Sequence, residues 1–177
     1  MTFDILSERP DDVGLIEPLL DRTFGFERTG RTVYRLRERL EPLADLSFVA
    51  VHADGGLLGS LRFWPIRIES RRAILLGPLA VEPALQGQGI GRSLLHHGLS
   101  QARWAGHGIC VVVGAPDYYR PFGFVAAAAR GLVLPGPVDL TRFQVLELTP
   151  GALDGVRGLI ARAESDDRGR PRGAAVA

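Results

Sequence analysis

Lysine is absent from this 177-residue chain: all 21 basic residues are arginine, set against 20 aspartates and glutamates. No phosphate loop of the Gly-Lys-Ser/Thr kind can therefore exist. A formal net charge of +1 gives no field pointing to nucleic acid or to an anionic membrane surface. Exclusive use of arginine, with abundant alanine and glycine, fits a GC-rich coding bias. Cysteine is nearly absent too. Cys110 stands alone, so no intrachain disulfide can form, and within the apolar run ICVVVGA it reads as a small core residue rather than a nucleophile. No apolar run approaches the ~18 residues needed to cross a bilayer. The opening MTFDILSERPDD lacks the basic segment and apolar stretch of a secretory leader. A cytoplasmic location is the expectation.

What is present reads as one globular domain, with 46% hydrophobic and 23% charged residues. Phe3 and Ile5 alternate with polar neighbours and predict a short strand. Asp11 and Asp12 open a helix with the stripe Val13, Ile16, Leu20 and Phe24, which Pro18 should kink or split. A second helix is predicted over 31–40, with Arg31, Arg35, Glu38 and Arg39 on its solvated side. LSFVAVH and GLLGSLRFWPIRI flank the hairpin signal Ala53-Asp54-Gly55-Gly56. AILLGPLAV follows as a strand in which Gly77-Pro78 marks a bulge or a break in pairing.

After that strand comes ALQGQGIGRSLL, where glycines at 87, 89 and 91 lead into a helix over 90–105. Ile90, Leu94, Leu95, Leu99 and Ala102 form its apolar stripe, while Arg92, His96 and Arg103 face outward. GICVVV is a buried strand, APDYYRPFGF a turn or short helix, and FVAAAA another strand. Further strands are predicted near 143–148 and 157–163. SDDRGRPRGAAVA resembles a weakly packed tail, so the expected division is a domain over 1–164 and a tail over 165–177.

Strand, glycine turn and helix together form a general anion site, because the first amides of a helix lack intrahelical partners and glycine leaves the approach open. A dinucleotide fingerprint would need glycine at 92, where the chain has Arg92. A turn in which glycine serves packing alone is the structural alternative. The run Gln86-x-x-Gly89-x-Gly91, preceded by LGPLAVEP, resembles the acyl-CoA-binding motif of the GNAT superfamily of N-acetyltransferases. YYRPFGF resembles the aromatic-Tyr-x-x-x-Gly-Phe signature near the end of that fold.

That resemblance implies an α/β (α+β) single-domain fold. Its sheet is mixed and mostly antiparallel, splayed between the fourth and fifth strands, with helices on both faces. It also implies acetyl-CoA as cosubstrate. Leu79, Ala80 and Val81 would pair with the pantetheine arm. Gln86, Gly87, Gln88, Gly89, Ile90, Gly91 and Arg92 would wrap the pyrophosphate. Tyr119 would be the general acid that protonates the departing thiolate, and an amide freed near Leu79 would hold the oxyanion. The acceptor is expected to be a small-molecule or peptide primary amine that attacks directly, without nucleic acid, membrane or metal, in a protein that can form a homodimer.

No residue stands out as a general base. Glu82, Asp117 and Glu69 read as surface carboxylates, and His96 and His97 lack a ligand partner at helical spacing. Arg28, Arg31 and Arg62 read as surface residues that could attract an acidic acceptor. A non-catalytic acyl-CoA-binding sensor or scaffold would keep the glycine loop without needing Tyr119. A nucleotide-binding protein would use the same loop for ATP.

Overall fold

A computed structural model describes residues 2–163; the expected tail from residue 165 lies outside them. In chain order the elements are β1 (Phe3–Ser7), α1 (Val13–Phe24), α2 (Thr32–Arg35), β2 (Ser47–His52), β3 (Leu57–Ile68), β4 (Arg71–Val81), α3 (Ile90–Trp104), β5 (Ile109–Val113), α4 (Pro116–Tyr119), β6 (Val125–Ala126), β7 (Leu132–Val133), β8 (Phe143–Glu147) and β9 (Gly158–Arg162). They form a mixed α/β fold with a mostly antiparallel open sheet. The chain divides into two compact units. One holds the described residues up to Trp64 together with Leu75–Gln101, and the other holds Pro65–Ile74 with those from Ala102 onward.

In the first unit the strand order is β1-β2-β3-β4. β1 pairs antiparallel with β2 from Phe3↔His52 to Ser7↔Phe48, and β2 pairs antiparallel with β3 from Ser47↔Arg62 to Val51↔Leu57, shifting register between Ala50 and Val51. The predicted hairpin turn is present, and the Asp54 carboxylate accepts the Gly56 amide at 3.0 Å. Ile16, Leu19 and Leu20 of α1 pack with Val49 and Ala80 into a core cluster. All five predicted stripe residues of α3, from Ile90 to Ala102, are buried, while Arg92, His96 and Arg103 are exposed. Gly98 sets how closely α3 rests on β3: a Cβ there would stand 2.7 Å from Leu61 Cδ2 and 2.8 Å from Phe63 Cε2.

Three expectations are corrected here. Pro18 does not split α1, which runs unbroken through it. Proline at that position removes only one donation, to the Gly14 carbonyl, and both residues are exposed to water. The predicted helix over 31–40 shrinks to α2, because the chain turns at Leu36 and Arg39 takes a left-handed φ of +60°. Gly77-Pro78 distorts β4 without ending it. Gly77 lies at φ +112° ahead of a cis peptide bond, yet the strand continues to Val81. The indole Nε1 of Trp64 donates to the Gly77 carbonyl at 2.7 Å and holds that distortion in place.

In the second unit β5 pairs antiparallel with β8 from Ile109↔Glu147 to Val113↔Phe143, and β6 adds to the other edge of β8. The predicted strand FVAAAA is much shorter than expected, since only Val125–Ala126 pair before the chain turns at Ala128–Arg130. β9 pairs antiparallel with the end of β3 through Ile66↔Arg162 to Ile68↔Ile160, and parallel with β7. Cys110 is buried, as its apolar run predicts.

Candidate functional site

β4 leads into the glycine turn through a short 3-10 segment, Pro83–Leu85. Gly87 and Gly89 have φ of +81° and +88°, and a Cβ at either would meet nothing within 4 Å. Glycine is needed there for the backbone angle, and the space above the turn is open. The first α-helical bond of α3 runs from the Ser93 amide to the Gly89 carbonyl at 3.0 Å. The amides of Ile90, Gly91 and Arg92 precede that bond and carry the positive end of the helix. Gln86 turns back, and its Nε2 donates to the Val81 carbonyl at 3.3 Å. Thr23 Oγ1, whose proton goes to the Leu19 carbonyl at 2.8 Å, lies 3.4 Å from the same Val81 carbonyl, so α1 borders the end of β4. Leu79, Ala80, Val81 and the run Gln86–Arg92 therefore all belong to the first unit, on one continuous strand-turn-helix segment.

Tyr119 belongs to the second unit. Pro116 is the first residue of α4 and Pro121 the second of the 3-10 turn Arg120–Phe122 that follows, both in a first turn where a missing amide costs little. Gly123, at φ +93°, closes that turn. The Tyr119 ring is 8% exposed and meets Tyr118 and Phe124 edge-on, with centroids 5.1 and 5.5 Å away. The edge of the ring abuts Gly114, where any Cβ would overlap it. Gly114 is itself fixed, its carbonyl accepting from Gln144 Nε2 at 3.0 Å and its amide donating to Arg142 at 2.9 Å.

The three weak candidates for a base divide by environment. Glu82 is held by Arg22 through two hydrogen bonds of 3.3 and 2.8 Å. Glu69, at φ +50°, is no idle surface carboxylate, because its Oε1 accepts the Leu159 amide at 2.8 Å and folds over Gly158. Asp117 is almost fully exposed, 3.7 Å from Arg120. No group of three or more potential metal ligands occurs among the described residues. No helix among them is long and apolar enough to cross a membrane.

Residues 44–126 match the family model of the GNAT acetyltransferase domain. The chain is 34% identical to the uncharacterized N-acetyltransferase YhbS of Escherichia coli K12 over 91% of its own length and 96% of that protein. The chain belongs to the GNAT family of N-acetyltransferases. Two solved structures agree. The YhbS structure from Escherichia coli, in complex with CoA, has a TM-score of 0.79 at 32% identity, covering 91% of this chain and 89% of that one. A GNAT acetyltransferase from Brucella melitensis, in complex with acetyl-CoA, has a TM-score of 0.68 at 33% identity, covering 92% and 96%.

In this acetyltransferase the largest departure from sequence reasoning is a set of arginines. Arg28 and Arg62, expected at the surface, are 7% and 6% exposed. Arg62 donates through Nε and Nη2 to both oxygens of Glu8, at 2.8 and 2.7 Å, and through Nη1 to Glu17 at 3.3 Å. Burial pulls its pKa down, but the bonds from Glu8 and Glu17 outweigh that and hold it above the usual value. Arg28 donates to Asp21 at 3.0 Å and to Glu17 at 2.7 Å. Arg31 alone of the three stays exposed.

Arg37, not among the residues singled out from sequence, is 9% exposed, and its Nε and Nη1 have no hydrogen-bond partner. Its guanidinium carbon lies 4.7 Å from the Tyr34 ring centre and 5.8 Å from that of Trp64. Burial pushes its pKa down to about 10; the hydrogen bond with Tyr34 opposes that shift, and the charges of Arg28 and Arg62 add to it. The three arginines border one cavity of about 100 Å³, lined also by Glu17, Leu20, Tyr34, Trp64 and Pro78.

Proposed function

We propose that the protein transfers an acetyl group from acetyl-CoA to a primary amine by direct attack. The observation that carries this reading is the open turn at Gly87 and Gly89 at the start of α3, where the amides of Ile90, Gly91 and Arg92 precede the first i→i−4 bond of the helix. A pyrophosphate fits such a turn, because it carries the charge those amides and the helix dipole attract. Gln86, Gln88 and the guanidinium of Arg92 border it. Leu79, Ala80 and Val81, beyond the Gly77-Pro78 distortion, offer backbone groups to the pantetheine amides, and the Leu79 amide is suited to the oxyanion of the tetrahedral intermediate.

An alkyl amine has a pKa near ~10 and must lose a proton before it attacks. No carboxylate here stands out as the acceptor of that proton, so it passes through water or the amine binds neutral. Tyr119 is the residue suited to return a proton to the thiolate. A phenol is protonated at neutral pH, and the packing of the ring against Gly114, Tyr118 and Phe124 supports a single orientation for it.

The test is incubation with acetyl-CoA and a panel of amines while free thiol is followed. Failure to bind CoA at high micromolar concentration overturns the reading. Tyr119→Phe lowers kcat by about a hundredfold and leaves CoA affinity intact. An unchanged rate removes the acid role. CoA binding without turnover across the panel identifies a sensor or scaffold instead.

A further inference from the structure

β4 changes character at one residue. From Ala73 to Gly77 every residue is buried; from there on Pro78, Leu79 and Val81 are partly exposed, while Ala80 stays inside. The far end of that stretch is anchored by backbone, the Glu82 amide donating to the Leu58 carbonyl at 2.9 Å. At the near end the anchor is a side chain, the indole of Trp64, whose Nε1 donates to the buried Gly77 carbonyl at 2.7 Å.

Gly77 needs such an anchor. Glycine moves between backbone conformations more freely than any other residue, and here it sits at φ +112°, where residues with a side chain are strained. A Cβ would also stand 3.3 Å from Arg37 Nη2, so angle and space both select glycine. Nothing in the residue itself then fixes which way its carbonyl points. Trp64 does. It is 9% exposed, belongs to the neighbouring strand β3, and has the Arg37 guanidinium carbon 5.8 Å from its ring centre.

What is fixed at Gly77 carries forward. The peptide unit joining Gly77 to Pro78 is planar, and the proline ring locks the φ that follows. Only Pro78 ψ is therefore soft between the Gly77 carbonyl and the Leu79 amide. A hydrogen bond on the first sets the direction of the second to within one torsion.

We infer that Trp64 is a positioning residue for acetyl transfer: by holding the Gly77 carbonyl it aims the Leu79 amide at the thioester oxygen. This rests on the acetyl-transfer reading, which puts the oxyanion at Leu79. The indole need touch neither substrate, since it acts through two residues of backbone.

Two experiments test it. Trp64→Phe keeps an aromatic ring and removes the donor. At a temperature well below the unfolding midpoint of both proteins, kcat with acetyl-CoA and the best amine of a panel falls about thirtyfold, while CoA affinity stays within about threefold of the parent. A packing role alone would lower the midpoint and leave kcat in place. An unchanged kcat in the folded variant overturns the inference, and so does a loss of CoA affinity as large as the loss of kcat.

The second experiment uses the wild-type chain. It has two tryptophans, and Trp104, 88% exposed, serves as the internal reference. In NMR spectra of the nitrogen-labelled full chain, acetyl-CoA shifts the Trp64 indole N–H signal more than CoA does, and neither moves that of Trp104; Trp104→Phe assigns the two signals. The Gly87 and Gly89 amide signals on the same samples report cosubstrate binding separately. If they move and Trp64 responds no differently to acetyl-CoA than to CoA, the inference fails while the acetyl-transfer reading stands. If no signal moves, acetyl-CoA does not bind, and that reading falls together with the inference that rests on it.

Discussion

Between β4 and α3 the chain strips side chains away, and between α1, α2 and β3 it crowds three guanidiniums into one small space. Both regions lie in the first unit, and both concentrate positive potential. The turn does so with backbone amides, which carry partial charge, stay open to water and need no counterion. The cavity does so with full charges behind protein, where each demands a partner. Arg62 has Glu8 and Glu17, whereas Arg37 has the rings of Tyr34 and Trp64 and a hydrogen bond with Tyr34 but no carboxylate, and its Nε and Nη1 have no hydrogen-bond partner. A site built from backbone tolerates being empty. A site built from buried charge is stable only where the charge is answered, and that contrast can be measured.

The largest effect is expected where an answered charge is broken. Glu8→Gln leaves Arg62, 6% exposed, with Glu17 as its remaining carboxylate. Urea unfolding should show a loss of about 3 kcal/mol. Arg37→Met, measured in the same way without ligand, should move in the opposite direction, because it removes a buried charge that has no carboxylate to lose. Destabilisation by both variants to the same extent would erase the distinction between the two arginines.

A smaller effect is expected at the turn. Gly89→Val puts a branched side chain at φ +88°, where nothing of the protein lies within 4 Å. The clash it creates is with an incoming anion and with its own backbone angle. CoA affinity should fall by about a hundredfold in calorimetry, while the unfolding free energy measured in urea falls by only about 1 kcal/mol. A large loss of stability with unchanged CoA affinity would mean that the glycine serves packing alone.

These two regions also differ in how far they could be read from sequence. The turn is seven consecutive residues, Gln86 to Arg92, flanked by a strand and by the helix whose stripe of Ile90, Leu94, Leu95, Leu99 and Ala102 is entirely buried. Every part of that pattern is local, so periodicity and turn chemistry recover it. The cavity draws on Glu17, Arg28, Arg37, Arg62 and Pro78, from separate segments. Arg28 and Arg62 look like surface residues until Glu8 and Glu17 are known to face them. Arg37 goes unremarked because an arginine in a segment rich in Arg and Glu carries no sign of burial, although in the predicted helix over 31–40 it follows Val33 by four residues and shares its side; in the structure the helix stops after Arg35, and Arg37 is buried all the same. Tyr119 falls between these cases: its motif is legible, but the Gly114 backbone against which its ring edge packs is held by Gln144 and Arg142 from far along the chain.

In the second unit burial meets a titratable base in a third way, by keeping it neutral. His107, between α3 and β5, has its pKa pushed below the ordinary value of 6.5 by burial. Its folded form binds a proton less readily than its unfolded form, so protonation favours unfolding. The stability this protects is complete above pH 6.5, begins to fall as the unfolded histidine charges, and is lost as pH drops through the folded pKa. His107 is only partly buried, so water screens the penalty and the effect is the smallest of the set. Melting temperature recorded from pH 6.5 down to about 5 should decline less steeply in His107→Gln than in the parent protein. Parallel pH profiles would show that His107 charges in place, with water reaching it, and that a neutral side chain is not this unit's answer to burial.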